Sequence, residues 1–247
     1  MKLTILGSGS DGNVYVLHND KEALIVECGK RYSMAMKAIA HDRKKVVGCI
    51  VTHEHGDHSR YVNEYLDAVI PVAMTKGTVE ALREKDKLKS PFTPIVCRHR
   101  ETIFCGNFEV TPFNVHHDAA EPVGYHIWHP DCGAIVFLTD SDTLTERFDA
   151  PQHIMIECNY DVDTLQANTR LPQETKNRII CNHMSFHHCV DTLLNMDLTK
   201  CRQIVLIHLS NDNSREAIFI DGVKAATGKP TFAATEGMEL NFNNNPF

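Results

Sequence analysis

The chain has 247 residues, of which 43% are hydrophobic and 23% are charged, so it can build a full core and is not a largely disordered chain. Its 25 basic and 32 acidic side chains give a net charge of −7, which argues against a general polyanion binder unless a local basic patch exists. No apolar run approaches the roughly 18 residues of a membrane span. No repeat or flexible linker divides the chain. We therefore expect one domain over residues 1–247, with a loose tail at 241–247.

The first half of the chain predicts short strands, because β-branched runs alternate with Gly, Asn and Asp. Helical spacing of apolar residues predicts helices at Tyr61–Val69 and Lys76–Lys89. The predicted strands are KLTILG, NVYVLH, ALIVEC, VGCIVT, TIFCG, FEVTPFNV, VGYHIWH, GAIVFLT and HIMIEC.

In the second half, helices alternate with strands. Helical stretches are predicted near 161–177, 187–196 and 214–226, with a buried strand QIVLIHL and final strand segments in TFAAT and MELNF. Hairpin-rich blocks of this kind do not fit a doubly wound parallel sheet. They favour an α+β architecture in which two sheets pack face to face with helices outside.

The nine cysteines predict reduced thiols in a cytosolic protein. Their number is odd, no C-x-x-C pair occurs, and several lie in apolar runs such as VGCIV. The first residues, MKLTILGSGS, contain too short an apolar stretch for a signal peptide. The expected compartment is the cytoplasm, or the host cytoplasm if the gene is carried by a phage.

The segment Thr52–His58, THEHGDH, directly follows the predicted strand VGCIV. Extended backbone points His53 and His55 in the same direction, and Asp57 and His58 open the next helix. Imidazole and carboxylate groups are ligands for Zn²⁺, Mn²⁺ or Fe²⁺. Burying so many polar groups together without a metal would leave them unsatisfied. The motif therefore predicts a metal site that can hold two ions.

A closed two-metal site needs more ligands from distant segments. Three candidates each follow a predicted strand: the segment His116–Asp118, Asp140 and His208. Ligands from such positions can converge on one rim of a sheet.

The THEHGDH segment and the elements around it resemble the metallo-β-lactamase superfamily over nearly the whole chain. Within it they resemble the YycJ/WalJ and ribonuclease Z-like branch, which includes phage-type anti-Pycsar cyclic-nucleotide phosphodiesterases. The chain departs from the common pattern at Glu27, at Ser141-Asp142 and at Asn182. The supporting motifs are GSGSDGN (7–13), LIVECG (24–29), HDAAEPVG (117–124), TD (139–140), ECNYD (157–161), NHMS (182–185) and IHLSNDN (207–213).

The resemblance implies an αββα sandwich with two divalent ions, Zn²⁺ first and Mn²⁺ as an alternative. It implies that Asp57 orients a hydroxide activated by the metals and that His183 protonates the leaving group. His116 stays open as a substitute for the adjacent His117. The implied ligands are His53, His55 and His117 for one metal, Asp57, His58 and His208 for the other, and Asp140 as a bridge.

The expected activity is hydrolysis of nucleotide phosphodiester bonds. Because the net charge is negative and no basic arm is evident, 3′,5′-cyclic mononucleotides are favoured over DNA or RNA, with Tyr160 as a candidate stacking surface for the base. A YycJ-like nuclease is the first alternative. A lactonase, a thioesterase or an inactive metal-binding accessory protein are more distant alternatives. Relatives are often dimers, so a homodimer is expected.

Overall fold

The computed structural model describes residues 1–244. Two seven-stranded sheets face each other, and helices cover their outer faces. The expected α+β αββα sandwich is confirmed. The strands are β1 (Lys2–Gly7), β2 (Val14–His18), β3 (Ala23–Val26), β4 (Val46–Ile50), β5 (Val72–Thr75), β6 (Ile95–Cys97), β7 (Ile103–Cys105), β8 (Phe108–Asn114), β9 (Val123–His129), β10 (Gly133–Leu138), β11 (His153–Glu157), β12 (Gln203–Ile207), β13 (Thr231–Ala233) and β14 (Glu239–Asn241). The helices are α1 (Tyr32–Ala38), α2 (Gly56–Ser59), α3 (Val62–Asp67), α4 (Lys76–Glu84), α5 (Val162–Ala167), α6 (Gln173–Asn182), α7 (Phe186–Leu194) and α8 (Glu216–Thr227).

Both sheets are mixed, and their parallel parts place functional segments on one edge. The first sheet has the order β14-β1-β2-β3-β4-β5-β6, with β3 and β4 parallel. The second has the order β13-β12-β11-β10-β9-β8-β7, with β10, β11 and β12 parallel. Because parallel strands end on the same side of a sheet, the residues that follow these five strands can meet.

Central strands of both sheets, such as β3, β10 and β11, are buried on two faces, which explains their nearly continuous apolar sequences. In β2, Tyr15 and Leu17 face the layer between the sheets. Val14 and Val16 point outward, where they pack with apolar residues of α1, α3 and α4. A third apolar cluster lies under α7 and α8 on the second sheet.

Most predicted elements are present, but several boundaries differ. The stretch near 161–177 is two helices, since Pro172 restricts the residue before it and stands at the N-terminal boundary of α6. The helix predicted to reach Lys89 ends at Glu84. Helix α1 and the short strands β5 and β6 were not predicted.

The expectation of a loose C-terminal tail is wrong for residues 241–244. Asn241 pairs with β1, and Phe242 is fully buried with its ring stacked 4.2 Å from that of His153. The amino group of Met1 donates a hydrogen bond to Asn243 Oδ1. The Phe242 side chain covers the end of the core, and the asparagines around it in the sequence gave no indication of this burial. Residues 245–247 lie outside the described part of the chain.

All nine cysteines are free, and all except Cys181 are buried. The burial of eight of them agrees with the apolar runs in which several of them lie. Among residues 1–244, no helix is long and apolar enough to cross a membrane.

Replacing Phe242 with Ala should destabilise the fold by about 3–5 kcal/mol, because it empties a fully buried aromatic site. The free energy of unfolding in urea measures this loss. Phe104→Ala is the matched control: Phe104 is 72% exposed, so its loss should change stability by less than about 0.5 kcal/mol. Equal losses in the two variants would contradict the packing described for the C-terminal segment.

Candidate metal centre

The candidate site lies on the rim where β3, β4, β10, β11 and β12 end. Three of its residues, Glu27, Asp140 and His208, have left-handed backbone with φ of 69°, 47° and 54°. This conformation is uncommon outside glycine and costs free energy, so the surrounding structure must hold it. Such turns direct the side chains into the space between the strand ends.

His53, His55 and His117 form the first cluster. Their metal-competent nitrogens lie within 4.8 Å of one another, and His117 Nε2 is 3.1 Å from His55 Nδ1. His117 Nδ1 donates to the carbonyl oxygen of Asn182 at 3.0 Å, which leaves Nε2 with a free lone pair. A hydrogen bond from one ring nitrogen to a carbonyl fixes the tautomer in which the other nitrogen can bind a metal.

His53 is held by a hydrogen-bonded chain that starts at a buried carboxylate. The Thr52 hydroxyl donates to Glu27 Oε1 at 2.6 Å, so Thr52 Oγ1 accepts from His53 Nδ1 at 2.9 Å. His53 Nε2 is then an unprotonated acceptor, and it is buried without any hydrogen-bond partner. An orphaned buried nitrogen facing two further imidazoles is the arrangement that a bound cation would satisfy.

The second cluster contains Asp57, His58, Asp140 and His208. His58 Nε2 lies 2.7 Å from Asp140 Oδ2 and 3.3 Å from Asp57 Oδ2. His208 Nε2 lies 3.2 Å from Asp57 Oδ2. His53, His58 and Asp140 form a further compatible group, so the two clusters adjoin at Asp140. The donor set of imidazoles and carboxylates suits two divalent ions side by side.

The electrostatics of the two clusters differ. Burial lowers the pKa of His53 and His55, so both rings are neutral, which is the form that binds a metal. Burial opposes charge on His208 as well, but nearby Asp140, Asp57 and Glu157 outweigh it and raise its pKa to about 9. The pKa of Asp57 is lowered because His58 and His208 outweigh the effect of burial.

Glu157, at the end of β11, is a further functional residue that the sequence analysis did not assign. Its Oε1 accepts from His183 Nδ1 at 2.7 Å, and its Oε2 accepts from the backbone N–H of Ser141 and of Met184. His183 Nδ1 also lies 3.2 Å from Asp140 Oδ1. Burial opposes protonation of His183, but Glu157 and Asp140 outweigh it and raise its pKa to about 11. The signal available in the sequence for Glu157 was an acidic residue at the end of a buried strand.

The GSGSDGN segment packs beneath the site. A Cβ at Gly29 would collide with the carbonyl oxygen of Asp57, and the backbone N–H of Asn13 donates to that same oxygen. The Asn13 side chain lies 3.2 Å from His58 Nε2. Ser8 Oγ accepts from the N–H of His208. Gly29, which belongs to the LIVECG segment (24–29), therefore allows the close approach that positions α2 and its ligands.

Two candidate residues lie outside the clusters. His116 is exposed and pairs with Asp142 at 2.9 Å, so of the two adjacent histidines only His117 enters the site. The expectation that Tyr160 contacts substrate is not supported by its position. Its side chain is 2% exposed, because a backbone bridge to Ser185 holds it in the interior.

A cavity of about 380 Å³ opens directly onto the two clusters. Helix α6 forms one wall through Thr175, Arg178 and Ile179, and Ser10 lies on the rim. Arg178 is the single Lys or Arg among the lining residues within the described chain. The site is thus open to solvent on the side where a substrate would enter.

Comparison with known proteins agrees with this architecture. Residues 27–209 match the family described as the beta-lactamase superfamily domain. The chain is 25% identical over 250 residues to exodeoxyribonuclease YycJ of Bacillus anthracis, covering 97% of this chain and 94% of that protein. It is 26% identical over 226 residues to exodeoxyribonuclease WalJ of Streptococcus pneumoniae serotype 2, strain D39, covering 86% and 83%. The crystal structure of the metallo-beta-lactamase fold protein YhfI from Bacillus subtilis has a TM-score of 0.73 at 16% identity, covering 97% and 99%.

The fold, the His/Asp clusters and the family match define a metallo-hydrolase. The chain belongs to the beta-lactamase superfamily, and it is similar to the YycJ and WalJ proteins over most of its length.

The adjacent histidines provide a matched test of the metal centre. His117→Gln should lower the number of divalent ions bound per chain, because it removes one nitrogen of the first cluster. His116→Gln should bind the wild-type number, since His116 faces Asp142. Elemental analysis after dialysis against Zn²⁺ or Mn²⁺ measures both. Equal metal content in the two variants would contradict the cluster as a metal site.

Proposed function

We propose that the protein is a metal-dependent phosphodiesterase that removes nucleotides from DNA, acting as an exodeoxyribonuclease. The observation that carries this proposal is the pair of His/Asp clusters adjoining at Asp140 beneath an open cavity. The similarity to YycJ over 97% of this chain supports DNA as the substrate.

The first cluster would bind one ion and the second cluster the other, with Asp140 shared between them. His117 Nδ1 donates to the Asn182 carbonyl and His53 Nδ1 donates to the Thr52 hydroxyl, which leaves Nε2 of each ring free for this role. Two divalent ions bound there supply the acidity that makes water a nucleophile near neutral pH, and the positive charge that offsets a phosphodiester.

Two side chains would act directly on the reacting groups. Asp57 reaches the cavity and would orient the attacking water. His183 also lines the cavity, and its Nδ1 is held by Glu157. Its Nε2 is therefore the nitrogen that can give a proton to the leaving oxygen.

Two observations favour DNA over the cyclic mononucleotide expected from the sequence. No aromatic side chain other than histidine lines the described cavity, and Tyr160 is buried, so a wall for stacking one base is missing. The second observation is the local charge near the cavity, which the net charge of −7 does not describe. The Arg178 side chain lines the cavity, and the Arg60 guanidinium lies close to Gly56 on the same rim.

Hydrolysis of 3′,5′-cyclic mononucleotides to linear monophosphates is the second candidate. A cavity of about 380 Å³ is of the size that binds a small ligand. The negative net charge also favours a substrate held mainly by two metals.

One experiment separates the two candidates. The pure protein is incubated with Zn²⁺ or Mn²⁺ and with end-labelled DNA, RNA, or 3′,5′-cyclic mononucleotides, with a chelator control. We expect chelator-sensitive release of nucleotides from a DNA end. Conversion of cyclic mononucleotides without cleavage of DNA would favour the second candidate. No turnover of either substrate by protein with both metals bound would contradict the phosphodiesterase proposal.

Asp57→Ala should abolish hydrolysis with the fold intact, because it removes a carboxylate of the second cluster. Asp142→Ala removes the same charge outside the clusters and should keep near wild-type activity. Rates are compared at saturating metal, and circular dichroism checks the fold. Wild-type activity in Asp57→Ala would contradict the assignment.

The role of His183 predicts a dependence on the leaving group. His183→Gln should lower kcat on DNA by about 100-fold or more, because a sugar alkoxide needs a proton. The same variant should act much more like wild type on bis(p-nitrophenyl) phosphate, whose leaving group needs none. His187→Gln, an exposed neighbour on α7, is the control. Equal losses on both substrates would contradict proton donation by His183.

A further inference from the structure

Arg178 occupies an unusual position in the molecule. It lies on α6 and lines the cavity with the cluster residues Asp57, His117 and His208. Among the described lining residues it carries the single guanidinium or ammonium group, and the roles proposed above use it only as a positive charge near the cavity, with no assigned contact to the substrate.

The helix that carries Arg178 is fixed to the metal centre. The carbonyl oxygen of Asn182, the last residue of α6, accepts from His117 Nδ1, and the Asn182 side-chain oxygen accepts from the backbone N–H of Asp118. The buried Lys176 side chain donates to the carbonyl oxygen of Gln166 at 2.7 Å. The backbone at Arg178 therefore keeps a defined distance from the first cluster.

The guanidinium is only partly used by the protein. Its Nε donates to Asp118 Oδ2 at 3.2 Å, and no protein partner of its two terminal nitrogens is found among the described residues. The side chains are 67% and 39% exposed, so this ion pair contributes little to stability. The terminal nitrogens form the planar fork that binds phosphate oxygens in pairs.

The carboxylate of Asp118 lies between the Arg178 guanidinium and His117 of the first cluster. Asp118 Oδ2 contacts Arg178, and Asp118 Oδ1 lies 3.5 Å from His117 Nε2. A phosphate held at the clusters is thus separated from the guanidinium by the width of a carboxylate group. A neighbouring phosphate of the same strand would lie further along the cavity wall, where α6 presents the fork.

We propose that Arg178 binds the phosphate next to the one that is cleaved, so that the site selects a polynucleotide strand over an isolated phosphodiester. This inference rests on the proposed function and adds a substrate-binding residue that determines specificity. Helix α6 would then distinguish a polynucleotide strand from an isolated phosphodiester, because a substrate with one phosphate cannot reach both the clusters and Arg178.

The test compares Arg178→Ala, Arg178→Lys and Arg170→Ala with wild type. Arg170 is an exposed residue between α5 and α6 outside the cavity, so its variant removes an equal charge from the same segment. Each protein is assayed with Mn²⁺ on a single-stranded DNA oligonucleotide at several salt concentrations, and on bis(p-nitrophenyl) phosphate, which has one phosphate.

On the oligonucleotide, Arg178→Ala should lower kcat/KM by about tenfold or more, chiefly through a higher KM. The salt dependence of log kcat/KM should weaken by about the slope of one phosphate contact. Arg178→Lys should be intermediate, and Arg170→Ala should stay within about twofold of wild type. On bis(p-nitrophenyl) phosphate, Arg178→Ala should match wild type.

The outcomes that overturn the inference are distinct from failure of the proposed function. Wild-type kcat/KM of Arg178→Ala on the oligonucleotide overturns the inference alone. An equal loss on bis(p-nitrophenyl) phosphate also overturns it, because Arg178 would then support the metal centre. A wild-type protein that cleaves no DNA with metals bound overturns the proposed function, and the inference with it.

Discussion

The carboxylate of Asp140 is the feature on which the rest of the site depends. It is 2% exposed, and burial of a carboxylate is costly unless charges or hydrogen bonds compensate for it. Asp140 follows a strand of the second sheet, whereas His58, 2.7 Å away, follows a strand of the first sheet. His183 and His208 complete its surroundings. The buried charge thus joins the two sheets at their rim, and removing one partner of such a pair costs about 3–5 kcal/mol.

The same constraint explains why the site is held by a second layer of carboxylates. Glu27 holds Thr52, which sets the tautomer of His53, and Glu157 holds His183. Both acids are fully buried at strand ends. Glu27 favours the protonated form of His58 and Glu157 that of His183, which supplies positive charge around Asp140. The two acids also fix the orientation of the imidazoles before any ligand binds. As a consequence, His53 Nε2 has no hydrogen-bond partner, because the other ring nitrogen, Nδ1, already donates to Thr52.

Local sequence was sufficient for the parts of the site that lie close together along the chain. The THEHGDH segment predicted its cluster because strand alternation and a following helix are local properties. The choice between His116 and His117 was not local, since both follow the same strand. It depends on Asp142 and Asn182, which arrive from later segments. The burial of Tyr160, beside its backbone bridge to Ser185, was not a local property either. The contacts of Glu157 with His183 and of Arg178 with Asp118 likewise join distant segments of the fold.

Net charge was the least informative property, for a related reason. The value of −7 sums side chains over the whole surface, whereas charges separated by more than about 10 Å are screened in ordinary salt. What a substrate meets is the local set, and there the acidic residues are engaged in holding imidazoles while Arg178 keeps unpaired donors. Acidic side chains within the clusters would become ligands of cations, so they attract phosphate through the metals. A chain can therefore be acidic overall and still present a site that favours an anionic strand, provided that the acidic side chains of the site bind metal ions and that these ions face the substrate.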